Sequence, residues 1–218
     1  MSRRYAQYCP VARSLDVIGG RWTLLIAREL LLGPLRFTDL ADGLPGIGVS
    51  VLADRLKHLE GHGLIAKRTL PPPAASVVYE LTAEALGLAR ILAAMADWGM
   101  QLLGQPADDD EVKARWLVLG LSVTATVEDG SAVPDAACEL HVDEEIFTIK
   151  TQAGHLQPSQ GPAPDPDATI TLSTDTLVAI AGGDLDIPSS RADRLIEVDG
   201  DASAAEHLLT ALTGVAGD

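Results

Sequence analysis

The stretch RFTDLADGLPGIGVSVLADRLKHLEGHGLIAKRTL, residues 36–70, decides the fold of the N-terminal half. Its pattern predicts a short helix over 38–43, a Pro-Gly turn, and a second helix near 49–62. The second helix has a leucine repeat with one buried face, formed by Leu52, Leu56 and Leu59. Two short helices joined in this way are typical of a helix-turn-helix.

A β-hairpin is predicted directly after the second helix. Residues 64–70 alternate as a strand, PPPAAS over 71–76 is too proline-rich to pair, and VVYELT over 77–82 returns as the second strand. A hairpin at this point is the wing of a winged helix-turn-helix. Thr82 can then N-cap a long helix that ends near 103. This helix has an apolar stripe that needs a partner helix, formed by Leu88, Ile91, Leu92, Met95 and Leu102.

Two further helices are predicted before the helix-turn-helix, with a break at Gly19 and Gly20. The first has apolar residues at helical spacing, Val11, Leu15 and Ile18. The second, RWTLLIARELLLG over 21–33, is apolar nearly all round, so we expect it to be the buried centre of a small helical core.

The charge of the chain differs between its two halves. Residues 1–105 contain eleven Lys and Arg against nine Asp and Glu, whereas residues 106–218 contain five against twenty-two. The total net charge of −15 repels DNA at long range, so a nucleic-acid contact needs a local basic surface on the N-terminal half. We predict an N-terminal domain over 1–103, a Pro- and Asp-rich linker over 104–111, and a second domain over 112–218.

The composition excludes several other classes of protein. Two cysteines are too few for a disulfide-stapled secreted scaffold, and the first residues lack a signal-peptide pattern. The low cysteine count favours a reduced, cytoplasmic protein. No stretch approaches 18 apolar residues, so we expect no membrane span. No HExxH, GxSxG or phosphate-binding glycine loop is present, and we predict no enzyme activity, metal or cofactor.

The N-terminal half resembles the HxlR-type winged-helix regulators. The residues that carry this resemblance are CPVARSLDVIGGRWTLLIARELLLGPLRFTDLADGLPGIGVSVLADRLKHLEGHGLIAKR over 9–68, then VVYELT and Trp98-Gly99. The resemblance implies a homodimer on double-stranded DNA with a palindromic operator, in which each second helix enters a major groove. Two features depart from the family: Gly48-Val49 replaces the usual Ser-Pro helix start, and the wing tip at 70–76 has no positive charge.

By this resemblance, candidate DNA contacts lie in the helix-turn-helix and at the base of the wing. They are Thr38, Ser50, Arg55, Lys57, His58, Lys67 and Arg68. Each also has a plain structural interpretation, since a single Arg or Lys is often a solvated charge and Ser50 can simply cap a helix. Cys9 precedes the first helix, where the helix dipole favours a reactive thiolate, so it is a candidate redox or electrophile sensor. The alternative is a small side chain packed at a helix start.

The C-terminal half predicts an α+β domain. Residues 112–125 are typical of an apolar helix, 138–152 of a strand pair, and 167–174 of another strand, while 154–167 are turn-rich. A helix, a Gly-Gly turn, a strand over 194–200 and a closing helix follow. DPDATITLSTDTLVAIAGGDLD and IEVDGDASAAEHLLTAL resemble the sterol carrier protein-like domain.

That resemblance implies an apolar tunnel for a lipid-like ligand. The candidate lining residues are Trp116, Leu117, Leu119, Leu121, Phe147, Ile149, Leu177 and Ile180. Core packing alone also explains each of them, and a collapsed tunnel would leave a dimerisation or interaction module. The sequence therefore favours a DNA-binding regulator that responds to a small apolar ligand or to redox stress. The alternative is a carrier of lipid-like molecules with a degenerate DNA-binding half, although the basic residues of the first domain count against it.

Overall fold

Proline and glycine residues set the ends of the first helices. α1 (Pro10–Ile18) begins with a proline in its first turn and stops at Gly19. It buries Ala12 and Ile18 but leaves the predicted apolar residues Val11 and Leu15 exposed. α2 (Thr23–Leu31) is largely buried and is the central helix of the first unit, as the sequence predicted.

The helix-turn-helix is present where the leucine spacing placed it. α3 (Phe37–Asp42) and α4 (Val49–Gly61) follow each other across a short turn. The predicted leucine face of α4 is confirmed, because Leu52, Leu56 and Leu59 are each at most 2% exposed. They share one core with α2, α3 and the first wing strand, made of Ile26, Leu30, Leu35, Leu40, Leu44, Leu52, Leu56, Leu59 and Ile65.

The wing is a two-stranded antiparallel hairpin of β1 (Ile65–Thr69) and β2 (Val77–Leu81). Leu35 pairs with β2 through two backbone hydrogen bonds. Its amide donates to the Tyr79 carbonyl at 3.0 Å, and the Tyr79 amide donates to the Leu35 carbonyl at 2.7 Å. These two bonds attach the wing to the turn before α3, so the hairpin is fixed to the helical core.

The start of the long helix differs from the prediction. Thr82 does not N-cap it, because its hydroxyl donates to the Gly63 carbonyl at 2.7 Å. A 3₁₀ turn (Glu84–Gly87) comes first, and α5 (Leu88–Leu103) follows. Of the predicted apolar stripe, Leu88 is buried and Leu92 packs beside it, whereas the stripe members Ile91, Met95 and Leu102 are exposed.

The second unit is a sheet with helices on one face. α6 (Ala114–Thr124) precedes the strands β3 (Ala136–Val142), β4 (Glu145–Gln152), β5 (His155–Gln160), β6 (Ala168–Leu172) and β7 (Ile196–Gly200). Their order is β5-β4-β3-β6-β7, and only the β3–β6 pairing among them is parallel. The helices α7 (Thr174–Ala181), α8 (Ile187–Ala192) and α9 (Ala202–Thr213) complete the unit.

Strand alternation separates the two faces of this sheet. Leu140, Phe147 and Ile170 are completely buried on the helix-covered face, where α6 and α9 pack. On the opposite face, a Glu139 carboxylate oxygen lies 2.7 Å from His141 Nε2, and the other accepts the Ala163 amide at 2.8 Å. The hydrogen bond from His141 lowers the pKa of Glu139.

Two elements of this unit were not predicted. Residues 155–160 form β5, an edge strand, although the sequence indicated only turns there. Pro158 pairs with Ile149 at this edge, a position where the missing amide of proline costs no ladder bond on the solvent side. The short α8 was also missed, and Asp186 caps it by accepting from the Ser189 amide at 2.8 Å.

The structure is a computed structural model that describes residues 4–103, 107, 110–125 and 134–213. The chain divides into compact units at residues 92 and 93. Most of the predicted linker, residues 104–106, 108 and 109, lies outside the described residues, so its boundaries stay a prediction. Within the described ranges, every helix is too short or too polar to cross a bilayer.

Candidate nucleic-acid interface

The surface of α4 divides into stripes, because residues three or four apart share one face of a helix. Opposite the buried leucines lies an outer stripe of Ser50, Asp54 and Lys57, all of them exposed. In a helix-turn-helix, the N-terminal residues of the second helix approach the base edges in the major groove. The outer stripe is therefore the part of α4 that is placed to contact DNA.

Arg55 and His58 lie on a different side of α4. His58 Nε2 donates to the Val17 carbonyl of α1 at 2.9 Å, which is possible only when that nitrogen carries the proton. The Arg55 guanidinium lies against Gly20, where an added Cβ would be 2.4 Å from its Nη1. Both side chains therefore pack toward the end of α1. This geometry favours a structural role, and their contact with DNA stays a prediction.

The remaining helix-turn-helix candidates are accessible. Thr38 is exposed in the first turn of α3, and its hydroxyl donates to the Asp39 carboxylate at 3.3 Å. Ser50 lies in the first turn of α4, where the N-cap is Gly48 and no side chain caps the helix. Lys57 is exposed and is the last residue of the outer stripe. These three side chains are free to meet a phosphate or a base edge.

Both candidate cations of the wing already have carboxylate partners. Lys67 Nζ lies 3.4 Å from Glu60 of α4 and 5.5 Å from the centre of the Tyr79 ring. Arg68 donates from Nε to both oxygens of Glu80 at 3.1 and 2.9 Å. The hydrogen bond and the charge of Glu80 raise the pKa of Arg68. Exposed ion pairs are screened by solvent and contribute little to stability, so DNA phosphates can replace these carboxylates.

The sequence did not predict these two carboxylate partners. Glu80 lies on the same face of the hairpin as Arg68, but this follows only from the register, which pairs Arg68 with Val78. Glu60 is one turn beyond Lys57 on α4, and its contact with Lys67 depends on how α4 packs on the wing.

Comparison with known proteins supports the assignment of the first domain as a winged helix-turn-helix. The family model for the HxlR-like helix-turn-helix matches residues 17–107. An uncharacterized HTH-type transcriptional regulator of Synechocystis is 36% identical over 97 residues, which are 44% of this chain and 72% of that protein. The chain belongs to the HxlR-like helix-turn-helix family. The HTH-type transcriptional regulator YodB of Bacillus subtilis is 34% identical over 101 residues, or 46% of this chain and 89% of YodB.

A solved structure is also similar in sequence to part of this chain. The reduced form of YodB from B. subtilis is 33% identical, covers 47% of this chain and 100% of its own, and has a TM-score of 0.39. The SCP-2 sterol transfer family model matches residues 124–213. The chain is thus a mixed α+β protein with a winged helix-turn-helix followed by an SCP-2-type domain.

The predicted tunnel residues of the SCP-2-type domain lie in and around its core. Phe147, Ile149, Leu119, Leu177 and Ile180 are buried, and Trp116, Leu117 and Leu121 are half-buried on α6. A small cavity of about 110 Å³ lies elsewhere, between the start of β3 and α9, and is bordered by Asp135, Asp167, Asp201 and His207. It is polar and much smaller than typical ligand cavities, which measure about 300–1,000 Å³. Binding of an apolar ligand therefore stays a prediction.

Cys9 has the local geometry that the sequence indicated. It is the N-cap residue of α1, it is half-buried, and its carbonyl accepts the Arg13 amide at 3.0 Å. The only other cysteine, Cys138, is buried in β3, where burial and nearby acidic groups raise its pKa to about 11. A thiol with so high a pKa remains protonated at neutral pH, so Cys9 is the better candidate for thiolate chemistry.

Proposed function

We propose that this chain is a homodimeric transcription regulator that binds a palindromic DNA operator through α4 and the wing. The observation that carries the proposal is the exposed outer stripe of α4 beside a wing base with two replaceable cations. The HTH-type regulators among its relatives support it. Such a regulator acts where the chromosome is, so we place it in the cytoplasm, and its function involves no catalytic step.

Exposed apolar side chains of the first domain and α5 support the proposed dimer. Met95, Trp98 and Leu102 are 48%, 63% and 66% exposed on α5. Tyr8 and Val11 are exposed near the N-terminus. Exposed apolar side chains concentrated on a helix mark an interaction surface. We propose that the occupant is a second copy of the chain, as the family resemblance implies, because a two-fold symmetric protein matches the two-fold symmetric operator proposed above.

The experiment is a titration of the full-length protein with DNA from upstream of its own gene across a salt series. The wild type is compared with the double variant Lys57→Ala/Arg68→Ala. We expect sequence-selective binding that weakens in the variant, with a slope of log K against log salt reduced by about one for each lost phosphate contact. Lys150→Ala is the matched control, because this exposed lysine lies in the SCP-2-type domain.

Selective binding that does not change in the double variant would refute the assignment of these cations. An absence of selective binding would favour the second candidate function, a carrier of lipid-like molecules. The SCP-2 family match over 124–213 is the specific observation that favours that candidate.

The signal that the regulator detects is the finer part of the proposal. The SCP-2-type domain would bind a small apolar ligand beside α6, where Trp116 is half-buried. Quenching of tryptophan fluorescence by a titrated fatty acid tests this, with Trp116→Phe as the control.

Cys9 would instead respond to oxidants. Mass spectrometry after mild peroxide, with DNA binding measured in parallel, tests that route, and unchanged affinity of fully oxidised protein would exclude it.

A further inference from the structure

The N-terminal end of α4 has an apolar edge beside its outer stripe. Val49 is 70% exposed, and Ala53, one turn later, is also exposed. Ala53 borders the outer stripe, three residues after Ser50 and four before Lys57, and Val49 lies four residues before Ala53 on the same flank of the helix. This is the end of the helix that approaches base edges. An exposed valine has no packing role here, since neighbouring side chains leave most of it in water.

The side chains that usually recognise purines are missing from this end of the helix. Arg and Lys bind guanine with two hydrogen bonds, and Asn and Gln bind adenine. In the first two turns of α4 the only such residue is Arg55, whose guanidinium lies against Gly20. Asp54 is an acceptor and can bind only a donor such as the amino group of cytosine. Recognition by this end of the helix therefore depends on apolar contact and on the short polar side chains of Ser50 and Asp54.

Thymine presents an apolar group in the major groove, its 5-methyl. We propose that Val49 and Ala53 form a contact surface for the 5-methyl groups of thymines in each operator half-site. The inference rests on the proposed function, and it specifies which chemical group of the operator the protein recognises. The lysine of the outer stripe and the wing cations supply the sequence-independent attraction to phosphates, and the apolar edge supplies discrimination.

Val51 provides a matched control on the same helical turn. It is also exposed, at 41%, but it shares its face with Arg55 and His58, four and seven residues later. Those two side chains pack toward α1, so Val51 lies on the flank of α4 that faces α1, across the outer stripe from Val49 and Ala53. Substituting Val49 or Val51 by serine leaves the buried leucines of α4 intact.

The experiment begins with selection of binding sites by full-length protein from a random duplex pool. In the selected site, each thymine is then replaced singly by uracil, which removes only the methyl group. For the wild type we expect affinity to fall about fourfold at one or two positions of a half-site. Replacing the equivalent thymines in both half-sites lowers it about fifteenfold. In Val49→Ser at least one of these sensitive positions disappears, whereas Val51→Ser keeps them all.

The outcomes separate this inference from the proposed function. If no sequence is enriched from the pool, the proposed function fails and the inference fails with it. If a site is enriched but uracil is tolerated at every position, only the inference is overturned. Retained uracil sensitivity in Val49→Ser, or an equal loss in Val51→Ser, also overturns it. Sensitivity that is lost in Val49→Ser alone supports it.

Discussion

Replacing His58 by alanine is expected to destabilise the first unit while leaving the groove-facing surface of α4 intact. The His58 ring bonds to a carbonyl in the last turn of α1 at 2.9 Å. Carbonyls in that turn have no partner within their own helix. The variant therefore loses the bond that joins α4 to α1 and leaves the Val17 carbonyl without it.

The magnitude follows from three opposing contributions. Loss of a neutral hydrogen bond costs about 0.5–1.5 kcal/mol, and the partly buried carbonyl adds to this cost. Alanine regains about 0.5 kcal/mol through its higher helix propensity. The net expectation is a loss of about 1 kcal/mol in the free energy of unfolding, or about 4–8 °C in the melting temperature of a unit this small.

Hydrogen exchange in a urea series, measured by mass spectrometry on peptides from α1 and α4, follows this unit separately from the other. His62→Ala is the comparison variant, because the His62 ring bonds to the His58 carbonyl at 2.8 Å and contacts the His58 ring at 4.3 Å between centres, both within the end of α4. We expect it to change stability by less than about 0.5 kcal/mol. Unchanged stability in His58→Ala together with a large loss of operator affinity would refute the structural role and identify His58 as a DNA contact.

Three further outcomes are expected. Glu80→Gln frees the wing guanidinium and strengthens operator binding about two- to fivefold in a low-salt titration; weaker binding would contradict this. Glu139→Gln destabilises the second unit in urea unfolding at neutral pH. Because the hydrogen bond from His141 lowers the pKa of Glu139, the difference in unfolding free energy between wild type and variant is largest above about pH 5. It decreases as pH falls through that pKa, and a difference that does not change with pH would contradict this. Gly200→Ala lowers the free energy of unfolding by about 2 kcal/mol or more, because Gly200 has a φ of 90° and an added Cβ would lie 2.6 Å from the Asp167 carbonyl oxygen. Gly120→Ala, inside α6, is the control and is not expected to lower it.

The sequence predicted those parts of the fold that depend on local periodicity. The leucine repeat in α4 fixed its buried face, and the alternation on both sides of the proline-rich loop fixed the hairpin. β5 was missed because Pro158 argues against a strand, and its tolerance there depends on β5 lying at the sheet edge. Thr82 was misassigned because its hydroxyl finds the Gly63 carbonyl, nineteen residues away, and long-range partners have no local signal.

The candidate site was predictable by position but not by environment. Helical spacing identifies α4 and places Ser50 and Lys57 on its outside. It does not show that Arg55 and His58 are used to hold α4 against α1, because that depends on where α1 ends. In the same way, a Lys or Arg in a strand is recognisably basic, but whether it is already neutralised depends on the register across the hairpin.

The paired wing has a consequence for how the protein searches a genome. With Glu60 and Glu80 opposing its two cations, the wing offers little net positive charge to an approaching duplex. Long-range steering and sliding both depend on such charge. We therefore expect slower association, with a weaker dependence of the association rate on salt, and briefer residence on random DNA than for a regulator whose wing cations are unpaired. A regulator of this kind loses few copies to the non-specific sites that compete with its operator, so even a modest operator affinity is enough for occupancy.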